Sequence, residues 1–225
     1  MLIVKLRTMA ARSAALGSAL VAALAVLAGP APVAVAEPCS DVELIFARGT
    51  SEPPGIGRVG FALEQSLRPQ LGGRTLSTYG INYPATYDFF RAADGAYDAT
   101  ARIAYLAENC PNTRVVLGGY SQGAAIVSML AGLPPVGDRI GDIGSAPPLP
   151  GNLAGNVAAM AVFGNAGAKF GHPLTAAGPP FSGRGIDLCA DGDPICSRGR
   201  NPFAHTKYES SMYVPQAAGF IAGRV

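Results

Sequence analysis

The chain has 225 residues, which is enough for one domain of ordinary size or for two small ones. Hydrophobic residues make up 49% of it and charged residues only 14%, and its 29 glycines and 19 prolines stay below the share that marks low-complexity disorder. A net charge of +2, without a run of basic residues, argues against nucleic-acid binding and leaves a compact fold with many tight turns.

The first 36 residues have the three parts of a secretory signal peptide. Basic residues precede an apolar, alanine-rich run over residues 14–28, and the small-residue triplet Ala34-Val35-Ala36 follows it. This run of about 15 residues is too short for a membrane anchor, which needs about 20. We therefore expect a signal peptide over residues 1–36 and a nearly neutral exported chain over residues 37–225.

The exported chain alternates short apolar runs with longer amphipathic segments, and no repeat or linker divides it, which predicts one domain. Strands that alternate with helices predict right-handed crossovers and a three-layer α/β fold around a mainly parallel sheet of about five strands. The predicted strands cover residues 42–46, 75–83, 114–118, 157–163 and 185–188. The predicted helices cover residues 58–71, 92–109, 121–130 and 214–221.

All four cysteines lie in the exported chain, and an even number of cysteines in such a chain indicates disulfides. Three pairings are possible. Only six residues, among them a glycine and a proline, separate Cys189 from Cys196, so we favour this pair together with Cys39–Cys110. A zinc site would need two close cysteine pairs, and we therefore expect no metal.

A G-x-S-x-G motif, Gly119-Tyr120-Ser121-Gln122-Gly123, stands between a predicted strand and a predicted helix. In this context the motif is typical of a nucleophile elbow, in which two small residues allow a sharp turn that lifts the serine oxygen above the sheet. A turn with an ordinary serine would share the motif but has no need of the strand and helix that flank it. We therefore expect Ser121 to be a catalytic nucleophile.

A serine hydroxyl becomes a good nucleophile when a histidine, oriented by a carboxylate, takes its proton. In this fold the partners follow the serine in the order acid, then histidine. His205 comes after all three candidate acids, Asp187, Asp191 and Asp193, whereas His172 precedes them. The order favours His205 as the base and leaves the three acids open.

Four features together characterise the exported chain. They are the G-x-S-x-G motif, residues 46–52 (FARGTSE) after the first strand, residues 189–196 (CADGDPIC), and His205 with Tyr208 just beyond it. In this combination the chain resembles the cutinase family of serine esterases, in particular its mycobacterial cutinase-like branch, from Cys39 to the C-terminus. The resemblance implies a three-layer α/β-hydrolase fold of the cutinase type.

The resemblance also implies roles for individual residues. The family pattern C-x-x-x-D-x-x-C puts the catalytic acid at Asp193, makes Asp187 and Asp191 ordinary loop carboxylates, and implies the same two disulfides. An oxyanion hole needs donors aimed at the attacked carbonyl oxygen. One donor is expected from the motif, the backbone N–H of Gln122, and the resemblance puts the second at Thr50.

The expected function is hydrolysis of carboxylic esters, lipidic or cutin-like, by a secreted monomer that needs no metal or cofactor. We also expect transient contact with lipid surfaces and location outside the cell, including the cell wall. Residues 83–85 and 202–203 are candidate walls of an acyl-chain cleft, although both segments would serve equally as ordinary loops. Two alternatives stay open: carbohydrate deacetylation, because acetylxylan esterases resemble cutinases, and a secreted antigen or binding protein whose catalytic residues are unused.

Overall fold

The computed structural model describes residues 39–134 and 144–225. The predicted signal peptide, residues 1–36, lies outside the described residues. No helix within these two ranges is long and apolar enough to cross a membrane.

Five strands form one sheet in the order β2-β1-β3-β4-β5, and every neighbouring pair is parallel. The three central strands are buried on both faces, which explains why their sequences are almost continuous apolar runs. The predicted parallel α/β architecture is confirmed. The strands are β1 (Val42–Ala47), β2 (Leu76–Gly80), β3 (Arg114–Tyr120), β4 (Val157–Phe163) and β5 (Gly185–Leu188).

Helices cover both faces of the sheet and make the fold three layers deep. Successive residues of β1 point to opposite faces: Ile45 packs in the core under α2 and α3, whereas Leu44 packs in the core under α1 and α7. The helices are α1 (Gly57–Leu67), α2 (Ala92–Asn109), α3 (Gln122–Leu130), α4 (Gly151–Ala154), α5 (Ala166–Lys169), α6 (Pro202–His205) and α7 (Tyr213–Ala222).

The structure differs from the sequence prediction mainly at the ends of elements. The helix predicted over residues 58–71 ends at Leu67 and continues as a tighter turn, Arg68–Leu71, because Pro69 has no N–H to donate to the preceding helical turn. The second strand is shorter than predicted and ends at Gly80. The four-residue helices α4, α5 and α6 were not predicted, because a single turn is too short to show helical periodicity.

Two disulfides join Cys39 to Cys110 and Cys189 to Cys196, the pairs that the sequence favoured. Their Cα–Cα distances are 5.5 and 5.7 Å. The first links the residues before β1 to the end of α2, at the amino-terminal edge of the sheet. The second closes a short loop after β5, at the opposite edge, where the carboxyl ends of the strands lie.

Candidate active site

Ser121 lies in the sharp turn between β3 and α3, with φ 55° and ψ −114°. A positive φ is unfavourable for any residue with a Cβ, so this backbone is held in place by its surroundings. The backbone N–H of Ser121 donates to the carbonyl of Phe163 in β4, at 2.9 Å. A Cβ on Gly119 or Gly123 would collide with backbone atoms of Gly123 or Ala47, respectively, which is why both flanking positions are glycine.

His205 connects the serine to a buried carboxylate. Its Nε2 lies 2.9 Å from Ser121 Oγ, and its Nδ1 lies 2.8 Å from Asp193 Oδ2. An ionised carboxylate only accepts hydrogen bonds, so Nδ1 carries the proton and Nε2 is left to accept one from the serine. The single-turn helix α6 places the imidazole there, and it begins with Pro202 and an Asn201 side chain that accepts from the Phe203 N–H.

Asp193 is fully buried, and its carboxylate accepts three hydrogen bonds. Besides His205, the Tyr208 hydroxyl donates to Oδ2 at 2.8 Å and the Ile195 N–H donates to Oδ1 at 2.7 Å. Burial alone would raise the pKa of Asp193, but the hydrogen bonds from His205, Ile195 and Tyr208 outweigh it and hold the pKa below its ordinary value. The carboxylate is therefore kept ionised inside the protein.

The side chains of two tyrosines position Asp193 and His205, and the spacing of residues in the sequence did not predict these roles. Tyr208 is 1% exposed, and its hydroxyl accepts from the Ala190 N–H at 2.8 Å while it donates to Asp193. Burial and the neighbouring carboxylate raise the pKa of Tyr208, which keeps the donating proton in place. The Tyr120 hydroxyl donates to the His205 carbonyl at 2.6 Å, and its ring packs 5.3 Å from the imidazole.

The loop that carries Asp193 is fixed from three sides. The Cys189–Cys196 disulfide closes it, and Lys169 Nζ donates to the Pro194 carbonyl at 2.6 Å. The backbone N–H of Asn201 donates to the Gly192 carbonyl at 2.8 Å, which ties the loop to the start of α6. These contacts couple the position of the acid to that of the histidine.

Thr50 and Gln122, the residues expected at an oxyanion hole, lie next to each other beside Ser121. Thr50 Oγ1 donates to Gln122 Oε1 at 3.2 Å, and Gln122 Nε2 donates to the Thr86 carbonyl at 3.2 Å. Gln122 is the first residue of α3, so its backbone N–H has no acceptor within the helix. Both residues border the same cleft as the serine.

The loop that carries Thr50 is built on a buried arginine and a nearly buried glutamate. Arg48 donates to the carbonyls of Tyr83, Ile81, Pro84 and Glu52. The Glu52 carboxylate accepts from the Gly49 N–H at 2.6 Å and from the Arg58 N–H at 3.0 Å. These contacts fix the loop backbone on both sides of Thr50.

A cleft of about 450 Å³ opens over Ser121 and His205. The expectation that residues 83–85 and 202–203 form its walls is wrong. Tyr83 and Ala85 are buried in the core, and Phe203 is exposed outside the cleft. The lining includes apolar and aromatic side chains, those of Tyr87, Phe89, Ala125, Ala166, Pro194 and Ile195, together with the charged side chains of Glu52, Arg58 and Lys169.

The other candidate residues lie outside the hydrogen-bonded chain. The expectation that Asp187 is a loop carboxylate is wrong. Asp187 belongs to β5, and its carboxylate accepts from Asn165 Nδ2 and from the Leu174 N–H, both at 2.7 Å. Its burial raises its pKa. Asp191 is exposed, and the backbone of His172 bonds to Gly167. Within residues 39–134 and 144–225 there is no group of His, Cys, Asp and Glu side chains that could hold a metal ion.

A parallel α/β sheet with helices on both faces and a serine at a strand-to-helix turn defines an α/β hydrolase. The family model described as Cutinase matches residues 38–225, so the chain belongs to the cutinase family. It is 47% identical over 187 residues to Phospholipase Culp4 of Mycobacterium tuberculosis, covering 83% of this chain and 80% of the relative. It is 46% identical over 213 residues to the Probable carboxylesterase Culp3 of the same species, covering 94% and 79%. These relatives and the family make the protein a carboxylic ester hydrolase.

Solved structures agree with this fold. Trichoderma reesei cutinase, in complex with a phosphonate inhibitor, has a TM-score of 0.64 and 30% identity, covering 83% of this chain and 77% of that one. The catalytic core of an acetyl xylan esterase from Trichoderma reesei has a TM-score of 0.68 and 25% identity, covering 84% and 100%. The predicted α/β-hydrolase fold and the predicted family are confirmed.

The substitution Tyr208→Phe tests how strongly the tyrosine hydroxyl lowers the pKa of Asp193. It removes one of three hydrogen bonds to the carboxylate, so we expect the pKa of Asp193, measured by carboxyl-carbon NMR, to rise towards its ordinary value. Ionised Asp193 stabilises the folded state at a pH above the ordinary pKa of the carboxyl group, and this stabilisation is lost as the pH falls through the lower pKa of the folded protein. Because the pKa of the folded variant is higher, the variant should lose this stabilisation at a higher pH than the wild type does. Ester turnover should fall about 10-fold, equivalent to about 1.4 kcal/mol.

Tyr213→Phe is the matched control, because its ring packs against Tyr208 at 5.9 Å and lies outside the hydrogen-bonded chain. Both variants are compared at a temperature where circular dichroism shows them folded, since Tyr208→Phe also leaves the partly buried Ala190 N–H without its acceptor. An unchanged Asp193 pKa together with unchanged turnover would show that the hydroxyl is only a packing element.

Proposed function

We propose that the protein is a secreted serine esterase that hydrolyses lipidic carboxylic esters through an acyl-enzyme on Ser121. The observation that carries the proposal is the continuous chain of hydrogen bonds from Ser121 Oγ through both nitrogens of His205 to Asp193 Oδ2. This is the arrangement by which a histidine activates a serine in hydrolases of unrelated folds. The membership of the cutinase family supports it.

In the first half-reaction Ser121 Oγ attacks the ester carbonyl carbon while His205 Nε2 takes the hydroxyl proton. The imidazolium that forms is stabilised by ionised Asp193, which keeps its own charge throughout. The tetrahedral intermediate collapses when the bond to the leaving alcohol breaks and His205 returns the proton to the alcohol oxygen. Water then attacks the acyl-enzyme in the same way and releases the acid and free Ser121.

The negative charge on the attacked oxygen is stabilised by donors beside the serine. In this proposal the Gln122 N–H is one donor, and the N–H and hydroxyl of Thr50 supply the others. The hydroxyl rotates from Gln122 Oε1 towards the oxyanion when substrate is bound. The buried Arg48 and the nearly buried Glu52 keep the Thr50 loop in position for this role.

The apolar and aromatic walls of the cleft support acyl or other lipidic groups as substrates. A relative that is named a phospholipase supports the same class. The reaction as written uses side chains and water alone, without a metal or cofactor. Residues 1–36 serve as the signal peptide in this proposal, and residues 37–225 act outside the cell or in its wall as a monomer, stabilised by two disulfides.

Carbohydrate deacetylation is the second candidate, and the similarity to the acetyl xylan esterase of Trichoderma reesei favours it. An acetyl group needs only the part of the cleft next to the serine. A lipidic acyl chain would also use larger apolar side chains of the lining, such as Phe89 and Ile195. The two candidates therefore differ in how turnover depends on acyl-chain length.

Ser121→Ala tests the nucleophile and the substrate class together, with p-nitrophenyl esters of graded chain length. The wild type should prefer longer acyl chains, and the variant should lose activity by about 10⁴-fold or more with an intact fold, because no acyl-enzyme can form. Turnover of acetate alone would instead support the deacetylase. Absence of turnover in the wild type would support a binding protein, and most of the activity remaining in the variant would contradict the mechanism.

Asp193→Asn and Asp191→Asn distinguish the buried acid from its exposed neighbour, two residues away on the same loop. Asp193→Asn should lower kcat by several orders of magnitude, because an amide can neither fix the His205 tautomer nor stabilise the imidazolium, whereas Asp191→Asn should match the wild type. The reverse result for the two variants would assign the acid to Asp191.

A further inference from the structure

The carboxyl end of β4 contacts the serine turn and the histidine through two consecutive residues. The carbonyl of Phe163 accepts from the Ser121 N–H at 2.9 Å. The next residue, Gly164, has φ 61° and lies so close to the imidazole of His205 that a Cβ would come within 2.8 Å of Cε1. A shift of this end of β4 would therefore move the serine turn and the histidine.

The residue after these two, Asn165, connects the end of β4 to the loop of the acid. Asn165 is fully buried, and its Oδ1 caps α5 by accepting from the Gly167 N–H at 3.0 Å. The last residue of α5 is Lys169, whose Nζ donates to the Pro194 carbonyl at 2.6 Å. Because Pro194 directly follows Asp193, the helix α5 links the end of β4 to the backbone of the acid loop.

One carboxylate holds Asn165 in place. Asp187 Oδ2 accepts from Asn165 Nδ2 and from the Leu174 N–H, both at 2.7 Å. These donors lie at the start and at the end of residues 165–174, so a single oxygen closes the segment that follows β4. Asp187 Oδ1 is buried and has no hydrogen-bond partner in the described part of the chain. Stability alone does not call for such a group, since apolar side chains of similar size often replace buried charged groups without loss of stability.

We propose that Asn165 and Asp187 are positioning residues that hold the carboxyl end of β4 and α5 in place. By doing so they set the distances between Ser121, His205 and Asp193. Neither of the two side chains lines the cleft, so they act on the reaction through the backbone. The inference rests on the proposed function. A displacement of about 1 Å in a catalytic group can cost about 100-fold in rate, so even a small relaxation of this pair should be measurable.

Asp187→Leu and Asp187→Asn separate the hydrogen bonds of the side chain from its size. Leucine is of similar size but accepts no hydrogen bond, so kcat for p-nitrophenyl acetate should fall at least about 10-fold. The amide oxygen of asparagine still accepts from both donors, and its NH2 group takes the place of Oδ1, so kcat should stay close to the wild-type value. An Asp187→Asn variant as slow as Asp187→Leu would overturn the proposal, because the two hydrogen bonds would then not be what matters.

The proton on His205 Nδ1 gives a readout that needs no turnover. The carboxylate of Asp193 accepts this proton, with 2.8 Å between Nδ1 and Oδ2. A proton in such a short, charge-assisted hydrogen bond resonates far downfield in the proton NMR spectrum, and it moves upfield as the bond lengthens. Asp187→Leu should move the resonance upfield, and Asp187→Asn should leave it in place. An unchanged resonance or an unchanged kcat in folded Asp187→Leu would overturn the proposal.

Thr113→Val is the matched control for the loss of a buried hydrogen bond. Thr113 is 3% exposed, and its hydroxyl donates to the Ser40 carbonyl at 2.6 Å, at the amino-terminal edge of the sheet. This variant should lower the Tm but leave kcat and the His205 resonance unchanged. An equal fall of kcat in Thr113→Val and Asp187→Leu would contradict positioning, because loss of stability at any place would then slow the enzyme.

Asn165→Ser tests the second member of the pair, and it replaces Asp187→Leu if that variant does not fold. Serine keeps an oxygen that caps α5, but its hydroxyl ends one bond short of the amide nitrogen that reaches Asp187. Its kcat should fall and its His205 resonance should move as in Asp187→Leu, and wild-type values in the folded variant would refute the role of the pair. A wild-type protein that hydrolyses no ester would refute the proposed function, whereas the resonance would still test the positioning. The two proposals therefore fail by different results.

Discussion

The hydrogen bonding of one buried charge, the Asp193 carboxylate, determines how the last part of the chain is arranged. A carboxylate without partners in the interior is strongly unfavourable, and here three donors satisfy it: His205, Tyr208 and the Ile195 N–H. Each donor comes from a different piece of backbone, so the loop, the single turn α6 and the turn after it must all keep their positions. The short Cys189–Cys196 disulfide closes the loop that carries Asp193, and the hydrogen bond from the Ala190 N–H to the Tyr208 hydroxyl restricts the same loop.

The sheet supplies the second half of the site. Parallel strands present their carboxyl ends at one edge, where the strained Ser121, the Thr50 loop and the Asp193 loop all lie. Close contact between Gly123 and the end of β1 brings the serine turn against the strand that leads to Thr50. Ser121 is thus set by the turn between β3 and α3, Thr50 and Asp193 by loops that hydrogen bonds hold in place, and the apolar lining comes from loops and from α3 and α5.

Much of the fold and of the site was predictable from the sequence, because these parts depend on local rules. Strands buried on both faces leave continuous apolar runs, as in β3 and β4, and a strand-to-helix turn at Ser121 needs its flanking glycines. The cleft walls were not predictable, because the chain leaves the sheet at Gly80 and buries Tyr83, which brings Tyr87 and Phe89 to the cleft instead. The tyrosine hydroxyls were missed because their partners, Asp193 and the His205 carbonyl, are set by tertiary packing.

The central claim, that His205 and Asp193 activate Ser121, is tested most directly by a serine-directed alkyl phosphonate, whose phosphorus takes the place of the attacked carbonyl carbon. Peptide mapping of the labelled wild-type protein should find one adduct, on Ser121, and labelling of Asp193→Asn should be much slower. An adduct on another residue would contradict the account. So would a folded, ester-hydrolysing protein that the phosphonate does not label.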